Sequence, residues 1–322
     1  MPINADKPQL WKADTRASVD QFNNWFQSFA PRAFREARKQ TVDDVARGLS
    51  ATNDLQSITP DVILKAPAIL QTLRMATCPP LARDRLIGLA DTTKNLVGRI
   101  EKGKVPPKLS DADVRDHLDR ICGVLSKMLD VDIFPWIEEQ RNPSEEERYR
   151  SSTIVADRLC GAVAEPIVRN AQEKRQLAAI EHYLVAKGYR HQPHATGKSV
   201  IEMEPGTFCF RLNLEAGSAH GGDGSKTVRI PVDAVIQPKS ATLPHLPLLI
   251  EAKSAGDFTN VNKRRKEEAT KVNQLRGTYG EQVTFALFLC GYFDAAYLGY
   301  EAAEGIDWVW EHRISDLDQL GI

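Results

Sequence analysis

The chain has 322 residues, with 42 Lys and Arg against 43 Asp and Glu, a formal net charge of −1, and 42% hydrophobic residues. That length can bury a substantial core and points to two domains, and the composition excludes a disordered or low-complexity chain. The near-neutral balance differs from the basic charge common in nucleic-acid binders, so contact with a polyanion has to come from a local basic face.

The opening stretch MPINADKPQLWKADTRAS lacks the basic-then-apolar layout of a signal peptide. No apolar run approaches the ~20 residues of a membrane span, so a cytoplasmic protein with no membrane partner is expected. Cys78, Cys122, Cys160, Cys209 and Cys290 are scattered and form no CxxC pair. They read as reduced, buried thiols, neither a zinc site nor a disulfide framework. His182, His191 and His194 lack a fixed partner set and read as surface or packing residues.

Residues 1–165 read as a mostly helical region that could supply a dimer interface, contact DNA, or simply brace the domain that follows. Val19, Phe22, Trp25, Phe26 and Phe29 follow helical spacing as core packing, and Pro31 is expected to interrupt that helix. Ser110 followed by Asp113 signals a helix start, and Asn142-Pro143 opens another with Glu145, Glu146 and Glu147 at its positive end. Arg32, Arg35, Arg38 and Lys39 make a basic stripe that suits a solvated helix face.

Residues 166–322 read as a second domain. Pro166 is expected to separate two helices; Ile180, Tyr183 and Leu184 on the second argue for docking against a sheet, and Gly188 suits its C-cap. In TFCFRLNLE, Phe208, Phe210, Leu212 and Leu214 alternate with polar partners, as in a half-buried strand. The glycine-rich stretch after it does not meet the P-loop pattern; it is an ordinary hairpin loop or one that approaches DNA, with Lys226 and Arg229 assisting.

IPVDAVIQ and LLIEAK then read as neighbouring strands across a short connection, the first ended by Pro238. Period two puts Glu251 and Lys253 on one face, and convergence with Asp233 assembles two carboxylates and a lysine. Two carboxylates suit a divalent cation such as Mg²⁺, which takes hard oxygen ligands and keeps several waters. Asp233 and Glu251 are the expected ligands, with the Ala252 backbone carbonyl a third and Lys253 the catalytic cation. Such a site activates water against a phosphodiester. The following segment is rich in cations: Lys263, Arg264, Arg265, Lys266, Lys271 and Arg276 suit phosphate contacts, and Asn260 and Asn262 suit a base edge. QVTFALFLCGYF reads as a core strand and IDWVWEHRISDLDQL as a strand with a terminal helix. The order of elements predicts an α+β fold, a mixed sheet flanked by helices.

Val232-Asp233 followed by Glu251-Ala252-Lys253 resembles the PD-(D/E)XK nuclease signature, with Val232 where that family often has proline. Ser254 to Arg276 resembles restriction endonucleases of the XamI-like family, a similarity that runs through the C-terminal half and more diffusely over the whole chain. The resemblance implies a restriction-endonuclease-like α/β core and a Mg²⁺-dependent type II enzyme. It further implies a homodimer acting on palindromic double-stranded DNA, leaving 5′-phosphate and 3′-hydroxyl ends, with a companion DNA methyltransferase. Glu181 lies where the family sometimes carries an additional acidic residue near the metal; a surface glutamate is the other reading. A repair, structure-selective or methyl-directed nuclease on the same core, or a DNA-binding protein that no longer cuts, are the alternatives.

Overall fold

The computed structural model describes residues 2–107, 109–193, 199–217, 227–261 and 265–322. It divides into two compact units, residues 30–168 and residues 1–29 with 169–322. The break near residue 168 falls close to the division read at 165, while residues 1–29 belong with the sheet rather than with the helices that follow them.

Residues 30–168 form an all-helical unit. It comprises the later part of α1 (Pro8–Ala51), then α2 (Pro60–Lys65), α3 (Leu70–Met75), α4 (Arg83–Leu89), α5 (Lys94–Ile100), α6 (Asp111–Lys127) and the start of α7 (Glu145–Ala186). Short helices need side-chain caps for their first N–H groups. Thr93 accepts from the Leu96 N–H at 3.2 Å and Ser110 from that of Asp113 at 3.1 Å. Leu70, Leu73, Leu86, Leu96 and Leu118 close a core around Trp136, whose indole N–H donates to the Asp54 carbonyl at 2.8 Å.

The breaks expected at Pro31 and Pro166 do not occur, and both long helices continue through their prolines. Proline gives up one N–H and crowds the carbonyl four residues back, which local packing can override. Each proline lies within two residues of a boundary between the units. Four cysteines are buried as expected, whereas Cys78 is exposed; all five are free. Among the described residues no helix is long and apolar enough to cross a membrane.

In the other unit the strands follow one another in chain order: β1 (Arg190–His191), β2 (Thr207–Gly217), β3 (Thr227–Ile236), β4 (Leu248–Ala255), β5 (Phe285–Gly291) and β6 (Asp307–Trp310). β2, β3 and β4 pair antiparallel, whereas β4, β5 and β6 are parallel. Parallel neighbours need crossovers. α8 (Phe258–Val261) and α9 (Arg265–Tyr279) supply the first, and α10 (Ala295–Ala303), which the sequence reading lacks, supplies the second. This is the mixed sheet with flanking helices that the element order predicts. Leu177, Ile180 and Leu184 of α7 cover one face, and Val272, Leu275 and Leu298 of α9 and α10 cover the other.

Two departures shape the site. Phe208 and Phe210 pack with the α7 face, but Leu212 and Leu214 pack with the α9 face, so the regular alternation read along β2 reverses midway. The reversal falls at Arg211, whose φ of 56° lies in the left-handed region. Secondly, the expected terminal helix is 3-10 over Glu311–Leu320, kinked at Arg313, which turns to Asp14 at 2.7 Å and Asp316 at 2.8 Å.

Candidate active site

β3 pairs with β4 through Ile236–Leu248, Val235–Leu249 and Ala234–Ile250, and the ladder stops there. Continuing the count sets Asp233 opposite Glu251, on the same side of the sheet. Asp233 also faces Arg211 across β2, at the pair missing from that ladder, so the left-handed residue and the carboxylate share one irregularity. There the Asp233 carboxylate takes the place of a backbone acceptor: its Oδ2 accepts from the Ala252 N–H at 2.8 Å. The Leu249 N–H donates toward β5, to the Thr284 carbonyl at 2.9 Å, so alternation turns the polar groups of Ala252 to the β3 side. The Ala252 carbonyl therefore lies on the same edge as Asp233.

Glu251 is surrounded by cations. Its Oε1 is 3.3 Å from Lys253 Nζ and its Oε2 is 2.6 Å from Lys271 Nζ. Lys253 is also held at 2.5 Å by Glu268 Oε1, from a side chain only 3% exposed. Lys271 donates to the Pro231 carbonyl at 2.6 Å. Charges thus alternate from Lys271 through Glu251 and Lys253 to Glu268.

Burial, then the charge of Glu251, pushes the Asp233 carboxyl up to about 6. Burial lowers the pKa of the Lys253 ammonium, but Glu251 and Glu268 outweigh it and the net shift is upward. Lys253 is therefore a persistent cation, suited to hold negative charge rather than to accept a proton.

Burial and the neighbouring Glu251 disfavour the charged form of Asp233, and a divalent cation bound between the two carboxylates would relieve that. Among the described residues no group of three His, Cys, Asp or Glu is gathered for metal binding. The available set is Asp233, Glu251 and the Ala252 carbonyl, sparse and hard. That fits Mg²⁺, which keeps much of its water.

The remaining sequence candidates distribute unevenly. Arg229, at the start of β3, is exposed and lines a groove of about 460 Å³ with Lys266, Thr270, Lys271 and Gln274. Asn260 lies in α8, its side chain outside the described set, and Lys226, Asn262, Lys263 and Arg264 lie outside the described residues altogether. Glu181 sits on α7 between Ile180 and Leu184, and no contact joins it to Asp233 or Glu251. The α7 carboxylate whose charge reaches Asp233 is Glu173, two turns earlier and held by Arg211 at 2.7 Å.

Glu268 was not read as a site residue, Lys271 was read for phosphate contacts and not as a partner of Glu251, and Glu173 was not read at all. For the first two a signal was present: Glu268, Lys271, Val272 and Leu275 recur at i, i+3, i+4 and i+7, one inward stripe of α9. Charges on an apolar stripe next to a candidate metal strand are site residues rather than surface ones. For Glu173 no local pattern existed.

Comparison with known proteins bears on what this arrangement does. A family model described as XamI restriction endonuclease matches residues 53–310. The chain is 52% identical over 319 residues to the type II restriction enzyme SalI of Streptomyces albus G, covering 99% of each. It is 23% identical over 217 residues to the type II restriction enzyme XamI of Xanthomonas campestris pv. amaranthicola, covering 66% of this chain and 69% of that one. No solved structure matches the chain.

Proposed function

The chain belongs to the XamI restriction endonuclease family, and from that premise we propose that Asp233, Glu251 and Lys253 are the centre at which it cuts DNA. It is a sequence-specific type II restriction endonuclease, a hydrolase of DNA phosphodiesters. The observation that carries the assignment of the centre is the meeting of Asp233 and Glu251 where the β3–β4 ladder ends, with Lys253 3.3 Å from Glu251.

Asp233, Glu251 and the Ala252 carbonyl would hold Mg²⁺, which supplies Lewis acidity toward the phosphate and acidifies a water. Lys253, kept charged between Glu251 and Glu268, donates to the non-bridging oxygens as negative charge grows on them. Glu268 fixes the direction of that ammonium. Water adds in line to phosphorus, the P–O3′ bond breaks, and the products carry 5′-phosphate and 3′-hydroxyl ends. Arg229 and Lys266, along the groove beside the site, engage the backbone on either side of the cut. Two copies of the chain on a palindromic duplex, acting in the cytoplasm beside a companion methyltransferase, complete the reading.

Digestion of unmethylated plasmid with Mg²⁺, beside an EDTA control, tests it. Discrete metal-dependent fragments are expected from the wild type. Asp233→Ala and Glu251→Ala should give none while still retarding DNA; full cutting by either variant would sink the assignment.

A further inference from the structure

Lys271 has two neighbourhoods. Inward, its ammonium lies 2.6 Å from Glu251 Oε2 and 2.6 Å from the Pro231 carbonyl, and its charge acts on Asp233. Outward, its side chain helps line the groove with Arg229, Lys266, Thr270 and Gln274. A cation held by one carboxylate, one carbonyl and the field of a second carboxylate stands where a divalent cation would be attracted.

We propose that Lys271 is a built-in occupant of the cation site, displaced by the divalent ion and thereby handed to a backbone phosphate in the groove. The proposal rests on the metal reading of Asp233 and Glu251.

The anchoring of the two lysines decides which one leaves. A metal approaching Glu251 must take at least one of its oxygens. Lys253 has a second carboxylate, Glu268 at 2.5 Å, to remain with. Lys271's other partner is a neutral carbonyl. Glu268 carries a full negative charge and the Pro231 carbonyl only a dipole, so once Glu251 is shared with a metal the Coulombic hold on Lys271 is the weaker. Its 16% exposure already opens on the groove. A freed ammonium on a four-carbon stem then meets the phosphates that Arg229 and Lys266 attract. Because each ligand favours the conformer the other needs, metal and DNA bind with positive, reciprocal coupling.

The test uses the full chain and Mn²⁺ without DNA, reading free Mn²⁺ by its paramagnetic resonance signal. Lys271→Met keeps the stem and removes the charge. It should bind Mn²⁺ about ten-fold more tightly than wild type, within the usual span of coupling between sites. Lys271→Arg, which keeps the charge, should stay near wild type. A second reading uses a 20-base-pair duplex with Ca²⁺, followed by fluorescence anisotropy. Ca²⁺ should strengthen DNA binding by wild type more than by Lys271→Met. Equal or weaker Mn²⁺ binding by a folded Lys271→Met would overturn the proposal, leaving Lys271 a structural counter-ion. If wild type, Lys271→Met and Glu251→Ala all fail to bind Mn²⁺, the cation site itself is wrong and the proposal falls with it.

Discussion

Glu301 of α10 has no exposed surface, and its carboxyl has no polar partner beyond the nearby Tyr297 hydroxyl, which favours the charged form. Burial, then the charge of Glu268, pushes its carboxyl up to about 8 from an ordinary 4.5, so at neutral pH it is mostly protonated. Between pH 4.5 and 8 the unfolded chain releases this proton before the folded chain does. The folded state then holds the extra proton, and stability falls as pH rises through that window, with the full cost present above 8. The displacement corresponds to on the order of 5 kcal/mol at most. Glu301→Gln keeps the shape and removes the titration. Urea unfolding followed by tryptophan fluorescence should show little difference between variant and wild type at pH 5. At pH 9 the variant should be more stable by several kcal/mol, about 3 or more after relaxation around the site. Asp233 shifts in the same direction but is common to both proteins, so their difference isolates Glu301. Parallel stability profiles across that range would refute a protonated Glu301.

Two further substitutions probe the frame of the site. Asn4→Ala removes donations to the Trp308 carbonyl at 2.9 Å and Asp316 at 3.1 Å, and an acceptor for Arg313 at 2.7 Å, all within the sheet-bearing unit. At about 1 kcal/mol each, more where a charge is involved, the expected loss in urea unfolding is about 3–5 kcal/mol; a loss below about 1 would mean the N-terminal segment only rests on the sheet. Gly291→Ala puts a Cβ 2.0 Å from the Ala255 carbonyl oxygen, at a φ of 105° that side chains rarely adopt. Because the obstacle is backbone, β4 must shift beside Glu251 and Lys253. Soluble yield or DNA cutting should collapse, and a variant that cuts at the wild-type rate would contradict the packing.

Strand β4 was legible because it is short, apolar and of period two, so Glu251 and Lys253 could be placed on one face without tertiary knowledge. The same rule failed at β2 and at β3, where Ile230 and Val232 pack with the α9 face but Ala234 and Ile236 with the α7 face. A single left-handed residue, Arg211, reverses the faces, and nothing in the Phe-Arg-Leu context signals a non-glycine in that region. Pro31 and Pro166 were read by local propensity, which the long helices override. Helix α10 went unread although Asp294 caps it by accepting from the Tyr297 N–H at 2.8 Å; its apolar run lacks polar alternation. The ion chain from Lys271 to Glu268 joins residues on different elements, so spacing alone could reveal only its α9 half.

The amino end of the chain is bound to its last strands. Asn4 meets Trp308, Thr15 donates to the Phe293 carbonyl at 2.8 Å, and Ser18 accepts from the Gly291 N–H at 2.7 Å. By contrast the helical unit is one unbroken stretch, residues 30–168. A ribosome therefore delivers everything the helical unit needs before the first strand appears, while the opening residues wait for partners made last. The strands that flank β4 on its parallel side, β5 along seven residue pairs and β6 beyond it, are likewise the last to be made, so the frame around Glu251 and Lys253 is completed only as the chain is finished.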